Sequence, residues 1–322
     1  MSLRVRFSAV LIALGLVAPI GKGAQAEDIV LTLATGGVAG VYFPLGEALA
    51  MVWSGAVDGL SVEAEPTGGS VANVFLVHEG EAELAFVQND IARYAADATE
   101  MFEGQAPLDG YLGLAMLYPE PVQIVALADS GLASVADLEG ERVAVGAWGS
   151  GTEANARQIL EAHGLSYDDI QPVFMAFDEA VVALGDGLIQ AAFLTAGVPT
   201  AAVTDLIVAY RNPATIVPLA LDRIEEIIER WPHYAPHTIP SGTYPGIDAD
   251  SPTVAVVAML VASRDLHAEA IEMLLERLFA EATLRRLCGI HARGCDISLE
   301  TARAAMPIPL HPGAERFYEQ AQ

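Results

Sequence analysis

The stretch Thr35-Gly36-Gly37-Val38-Ala39-Gly40-Val41-Tyr42-Phe43-Pro44 decides the fold. Before it, Ile29 to Ala34 is an apolar run of strand character. After it, Pro44 to Val52 has helical spacing with proline in the first turn. The same junction, a glycine-rich turn running into a helix start, returns at Thr67-Gly68-Gly69-Ser70 and at Gly149-Ser150-Gly151-Thr152-Glu153. A helix N-terminus presents backbone N–H groups without intrahelical acceptors, together with the positive end of the helix dipole. Glycine lets an anion come close to that backbone. Three such ends predict a cradle for a small carboxylate.

Outward from these turns, strand-like and helical segments alternate from Ile29 to about Pro218, the pattern of a parallel α/β sheet. Further strands are predicted at 60–64, 84–88, 113–118, 122–127, 142–146, 172–174, 191–194 and 215–219. Helices are predicted at 70–80 with Ser70 as N-cap, from Asp90, and at 152–163, 178–185 and 221–231. Pro119-Glu120-Pro121 interrupts two strand runs, because proline cannot donate within a central ladder, and marks a crossing between two lobes. Residues 232–252, rich in proline, glycine and serine, are expected as loop. Residues 253–262 form a long apolar strand that returns the chain to the first lobe, and 267–287 a helix. Lobe one thus begins at 27–119, lobe two is 120–252, and 253–322 goes back to lobe one. Crossing strands place the glycine turns face to face across a cleft, a common site for small ligands.

Residues 1–26 are expected to be a cleaved signal peptide. Arg4 and Arg6 precede an apolar stretch from Phe7 to Ala18, and Ala24-Gln25-Ala26 fits a small-x-small cleavage site. The apolar stretch is shorter than the roughly 20 residues of a membrane span, so a soluble periplasmic protein is expected. The leader would take Arg4, Arg6 and Lys22 with it, deepening a net charge of −26 by three units and leaving no lysine. Such a surface repels nucleic acid and anionic lipid and favours a soluble monomer. Saline habitat or compositional drift accounts for the charge equally well. Cys288 and Cys295 flank a glycine-containing loop; in an oxidising compartment they fit a small disulfide, and with His291 the rival reading is a metal site lacking a fourth ligand.

No catalytic constellation stands out. The turn at Gly36 does not match G-x-G-x-x-G, a P-loop needs a lysine, and Ala147-Trp148-Gly149-Ser150-Gly151 lacks the first glycine of G-x-S-x-G. The seven histidines are scattered, with no H-E-x-x-H. Ser150 with Glu153 also forms a capping box that needs no ligand, and Gly36, Gly37 and Gly40 can serve a tight turn alone. Tyr42, Phe43 and Trp148 border the turns as packing or as cover for a ligand's carbon chain. Gln88, Asn89 and Asp90 end a strand, where they either cap the next helix or meet a ligand.

Together these residues resemble the solute receptors of TRAP transporters of the TAXI type. The matching series runs from Thr35–Gly46 through Thr67-Gly68-Gly69-Ser70-Val71-Ala72-Asn73 to Phe86-Val87-Gln88-Asn89-Asp90. It continues with Gly146, Gly149–Glu153, Phe177 with Glu179-Ala180, Asp186–Phe193, Gly197, Pro199 and His311-Pro312-Gly313-Ala314. The resemblance implies an α/β, two-lobed, type II-like periplasmic binding protein that is not an enzyme and needs no cofactor. It would close on a glutamate-like, dicarboxylate or keto-acid ligand and deliver it to TRAP membrane subunits driven by an ion gradient. By matching position, contacts would come from Ala39, Gly40, Val41, Tyr42, Ser70, Asn73 and Gln88, with Ser150, Gly151 and Thr152 opposite. Trp148 replaces a proline common in relatives and would form a bulkier wall. The alternative is an ABC-type or sensor-associated periplasmic binding protein for a small anion.

Overall fold

The computed structural model describes residues 29–56, 59–209, 211 and 213–321, so the expected leader lies outside the described residues. In chain order the elements are β1 (Ile29–Ala34), α1 (Tyr42–Ser54), β2 (Leu60–Glu65), α2 (Ser70–Glu79), β3 (Leu84–Gln88), α3 (Asn89–Asp97) and β4 (Tyr111–Leu127). There follow β5 (Arg142–Ala144), α4 (Gly151–Ala162), β6 (Gln171–Val173), α5 (Phe177–Gly185), β7 (Ala191–Thr195), α6 (Ala201–Val208), β8 (Ala214–Ile216) and α7 (Leu221–Arg230). The chain ends with β9 (Ala235–Ile239), β10 (Ser251–Ser263), α8 (Ala268–Leu278), α9 (Glu281–Ile290) and α10 (Pro312–Gln320).

The strands join in the order β2-β1-β3-β10-β4-β7-β5-β6, with β8 on β4 and β9 on β10. Parallel pairing holds within β1, β2 and β3 and within β5, β6 and β7. Between these two parallel blocks, β10 and β4 run antiparallel to each other and to their neighbours. The sheet is therefore mixed, not parallel throughout as the alternation suggests.

Both central strands belong to two lobes. β4 pairs with β10 from Tyr111 to Pro121 and with β7 from Val122 to Ala126. β10 pairs with β9 from Ser251 to Ala255 and with β3 from Ala258 to Ala262. The expected break at Pro119-Glu120-Pro121 is instead continuous strand. Its prolines are tolerated because β10 covers one edge there while β7 covers the other only from Val122.

Two other expectations change. The loop at 232–252 contains β9, an edge strand that accommodates Pro236. The helix at 267–287 is two helices, because Ala280 takes an extended conformation (φ −60, ψ 134) and starts α9.

Lobe one has a core around Leu33, Leu49, Trp53, Phe86 and Leu260, and lobe two one around Leu184, Leu194, Val203 and Tyr244. A third apolar cluster includes Val87 and Ile91 of lobe one with Ile159 and Leu160 of α4. The lobes thus share buried surface behind the cleft. A buried polar chain reinforces it: Asn155 Nδ2 donates to Asp90 Oδ2 at 2.9 Å and to Tyr234 OH at 2.7 Å, and Tyr234 OH donates to Gln158 Oε1 at 2.7 Å.

Candidate ligand-binding cleft

The C-terminal ends of β1 and β3 in one lobe and of β5 and β7 in the other open onto one cavity, where ligands bind in open α/β sheets. All three glycine turns line it, and it leaves about 80 Å³ for the centres of water-sized spheres. A single water needs about 10–15 Å³ on that measure, so the space suits a small molecule.

The two lobes touch at their helix starts. Ala72 N in α2 donates to Gly149 O at 3.1 Å. A Cβ on Gly69 would lie 3.5 Å from Ser150 Cβ, and one on Gly68 3.5 Å from the Trp148 carbonyl oxygen. This is a closed arrangement.

Each helix start is built differently. Ser150 is the N-cap of α4, its Oγ accepting from Glu153 N at 3.1 Å. The Glu153 carboxylate pairs with Arg157 and accepts from Tyr167 OH, so the reciprocal half of the capping box is absent. In α2 the N-cap is Gly69, not Ser70 as expected, because the chain needs φ +107 there, which glycine allows. Ser70 Oγ is thereby free to accept from Gln88 N at 3.0 Å, tying α2 to the end of β3.

Opposite these donors stands a buried acid. Glu120 is 2% exposed on β4, and its Oε2 accepts from Tyr42 OH at 2.6 Å. The Tyr42 ring is itself held by stacking on Phe86, centroids 5.1 Å apart. Burial pushes the Glu120 carboxyl up to about 8; the Tyr42 hydrogen bond lowers it, and Asp90 nearby raises it. Burial first, then Glu120, holds the Tyr42 hydroxyl well above its ordinary value. Gln88 Oε1 and Thr195 Oγ1 are buried without a hydrogen-bond partner, although Thr195 N donates to Thr152 Oγ1 at 3.2 Å. No lysine, arginine or histidine is among the residues lining the cavity.

Of the residues chosen from sequence, Gly40, Val41, Tyr42, Ser70, Gln88, Ser150, Gly151 and Thr152 come together around the cavity. Three lie elsewhere. Ala39 packs on the apolar core of lobe two. Asn73 is a brace: its Nδ2 donates to Thr35 O at 2.6 Å and Phe86 O at 2.7 Å, and its Oδ1 accepts from Thr67 Oγ1 at 2.6 Å. Trp148 is 74% exposed, its ring 5.0 Å from that of Phe174, so it forms no inner wall.

Sequence reasoning missed Glu120, Thr195 and Ala196 as cavity residues and did not single out Phe177 as one. Thr195 had a signal, standing just past the end of a predicted strand. Cys288 and Cys295 are joined through their sulfurs, and within their loop His291 Nε2 lies 2.9 Å from Pro199 O of lobe two.

The profile of the NMT1-like family matches residues 33–321. Among solved structures, a protein of Bordetella bronchiseptica RB50 is similar at 19% identity and TM-score 0.54, over 92% of this chain and 84% of that one. The binding-protein component of an ABC phosphonate transporter from Pseudomonas aeruginosa is similar at 12% identity and TM-score 0.53, covering 84% and 80%. A putative L-cystine ABC transporter from Listeria monocytogenes is similar at 13% identity and TM-score 0.51, covering 84% and 99%. The fold is that of two-lobed α/β periplasmic binding proteins. No helix among the described residues is long and apolar enough to cross a membrane.

Proposed function

The chain belongs to the NMT1-like family, and from that premise we propose that it is a solute receptor of a membrane transport system. It closes on one small organic acid and hands it to a permease. One observation carries this reading: the starts of α2 and α4, from opposite lobes, meet at a single small cavity. Ser70, Gln88, Ser150, Gly151 and Thr152 are the assigned contacts, with Gly40, Val41 and Tyr42 from the first turn. We assign lobe one to 27–119 and 253–322 and lobe two to 120–252, in a periplasmic protein exported by its leader.

Neutral donors are strong enough for this task. A hydrogen bond to a charged group contributes roughly 1.5–3 kcal/mol, and a helix end about 0.3–1 kcal/mol, up to about 2 when partly buried. A few such bonds and two helix ends exceed the roughly 8 kcal/mol of micromolar affinity plus association costs of about 4 kcal/mol or more.

The permease has two readings. The ordered motif series favours TRAP subunits of the TAXI type. Two structural neighbours belong to ABC systems, a phosphonate-transporter component and a putative L-cystine transporter, and ABC delivery is the better supported of the two. Uptake by vesicles holding the cognate permease separates them: ATP dependence means ABC, dependence on an ion gradient means TRAP.

The receptor reading itself is tested by calorimetry and thermal denaturation on protein refolded free of ligand. Short-chain amino, keto and dicarboxylic acids form the panel. One ligand per chain, with a raised melting temperature and no turnover, is the expected result. A folded, empty protein that responds to none of them overturns the reading.

A further inference from the structure

Resting on the receptor reading above, we propose that Glu120 is the subsite for a ligand ammonium group, so that the captured solute is a zwitterion carrying a protonated amine beside its acid. The geometry begins with the sheet. β3 and β4 flank β10, where Gln88 pairs with Ala258 and Glu120 pairs with Val256. Side chains two apart on a strand share a face, so Gln88 and Glu120 stand on the same face of the sheet. Only the small Ala258 and Val256 lie on that face of β10 between them. Gln88 and Glu120 both line the cavity, and α2 and α4 bring their amide-rich starts in from the other side.

Among the described residues nothing neutralises Glu120. The groups facing it are Tyr42 from α1, Tyr118 beside it on β4 and Asp90 from α3, none of them a cation. β3 offers Gln88, β7 offers Thr195 and β10 offers Val256. A buried carboxylate without a counterion is costly, and a site built for an anion alone gains nothing from one. An arriving ammonium supplies the missing partner, while the ligand's acid group lies against the helix starts. Gln88 Oε1 and Thr195 Oγ1, both buried without partners, provide further polar wall for the same ligand. In the empty cleft burial keeps the Glu120 carboxyl protonated near neutral pH. Pairing with an ammonium ionises it, so binding releases a proton to solvent.

The test is calorimetry on matched ligands that share a carbon skeleton: L-glutamate, 2-oxoglutarate and glutarate; L-leucine and 4-methyl-2-oxopentanoate; L-alanine and pyruvate. Each is titrated into refolded, ligand-free protein in two buffers of different ionisation enthalpy. The expected result is that in at least one set the amino member binds about 100-fold more tightly than its amine-free partners, the scale of losing one partner of a buried charge pair. Its heat shifts between buffers in the sense of proton release. Glu120→Gln, which still accepts from Tyr42, abolishes that preference and the proton release while melting cooperatively. Amine-free acids that bind as tightly as amino acids, or a preference that survives Glu120→Gln, overturn the ammonium subsite and leave the receptor standing. If no member of any set binds the folded wild-type protein, the receptor reading fails with it.

Discussion

Gln88 and Gly151, on opposite lobes, meet so closely that a Cβ on Gly151 would lie 1.7 Å from Gln88 Oε1. The closed cleft therefore requires glycine at the first residue of α4, for space and not for backbone conformation. Gly151→Ala should displace the Gln88 side chain or hold the lobes apart. We predict an affinity loss of at least about tenfold, with the melting temperature of the empty protein changed by only a few degrees. Unaltered affinity in a titration would show that closure does not bring these two residues together.

Glu120 gives a pH prediction with a definite sign. Burial pushes its carboxyl up to about 8 in the fold, against an ordinary value of 4.5. Between those values the folded state keeps a proton that the unfolded chain has released, so stability falls as pH rises through that window. Glu120→Gln removes the liability. The variant should match wild type near pH 4–5 and exceed it by about 1–4 kcal/mol near pH 9. Parallel pH profiles of the two proteins would refute the buried, unpaired state of this acid.

The two serines should fail in different ways. Ser150→Ala removes an N-cap, costing about 0.5–2 kcal/mol. Ser70→Ala strands the buried Gln88 N–H, costing about 1–3 kcal/mol. Each should also weaken ligand binding by about tenfold, since each loses a hydroxyl at the cavity. Binding unchanged in both variants, with the fold intact, would place the ligand elsewhere.

The bond between Cys288 and Cys295 closes a loop with a sequence separation of 7. Constraint of so short a loop is worth about 2–3 kcal/mol in the chain-entropy picture. Replacing both cysteines by serine should lower stability by about that amount, and added reductant should bring wild type down to the variant. Because none of residues 288–295 lines the cavity, affinity should hold. A variant that melts with the oxidised wild type would remove the bond from the stability account.

Much of this was legible in the residues because local rules agreed. The alternation of strand and helix runs, and glycine turns before helix starts, singled out eight residues that line the cavity. The misses have tertiary causes. Pro119 and Pro121 look like a break because sequence does not show which edge of β4 is unpaired there. Glu120 is one acid among 42 Asp and Glu, and only the crossing of β4 sets it against Tyr42. Asn73 has the polarity of a ligand contact, yet its amide points back to Thr35 and Phe86. The break between α8 and α9 is hidden because apolar spacing continues through Phe279 and Ala280.

One measurement bears on the whole account most directly: native mass spectrometry of refolded, ligand-free protein exposed to the panel of small amino and organic acids. A single adduct per chain should form with at least one of them and vanish in Gly151→Leu, whose side chain fills the cleft of a protein that still melts cooperatively. No adduct with any acid, or an adduct that persists in the filled variant, would contradict the claim that opposed helix starts grip the solute.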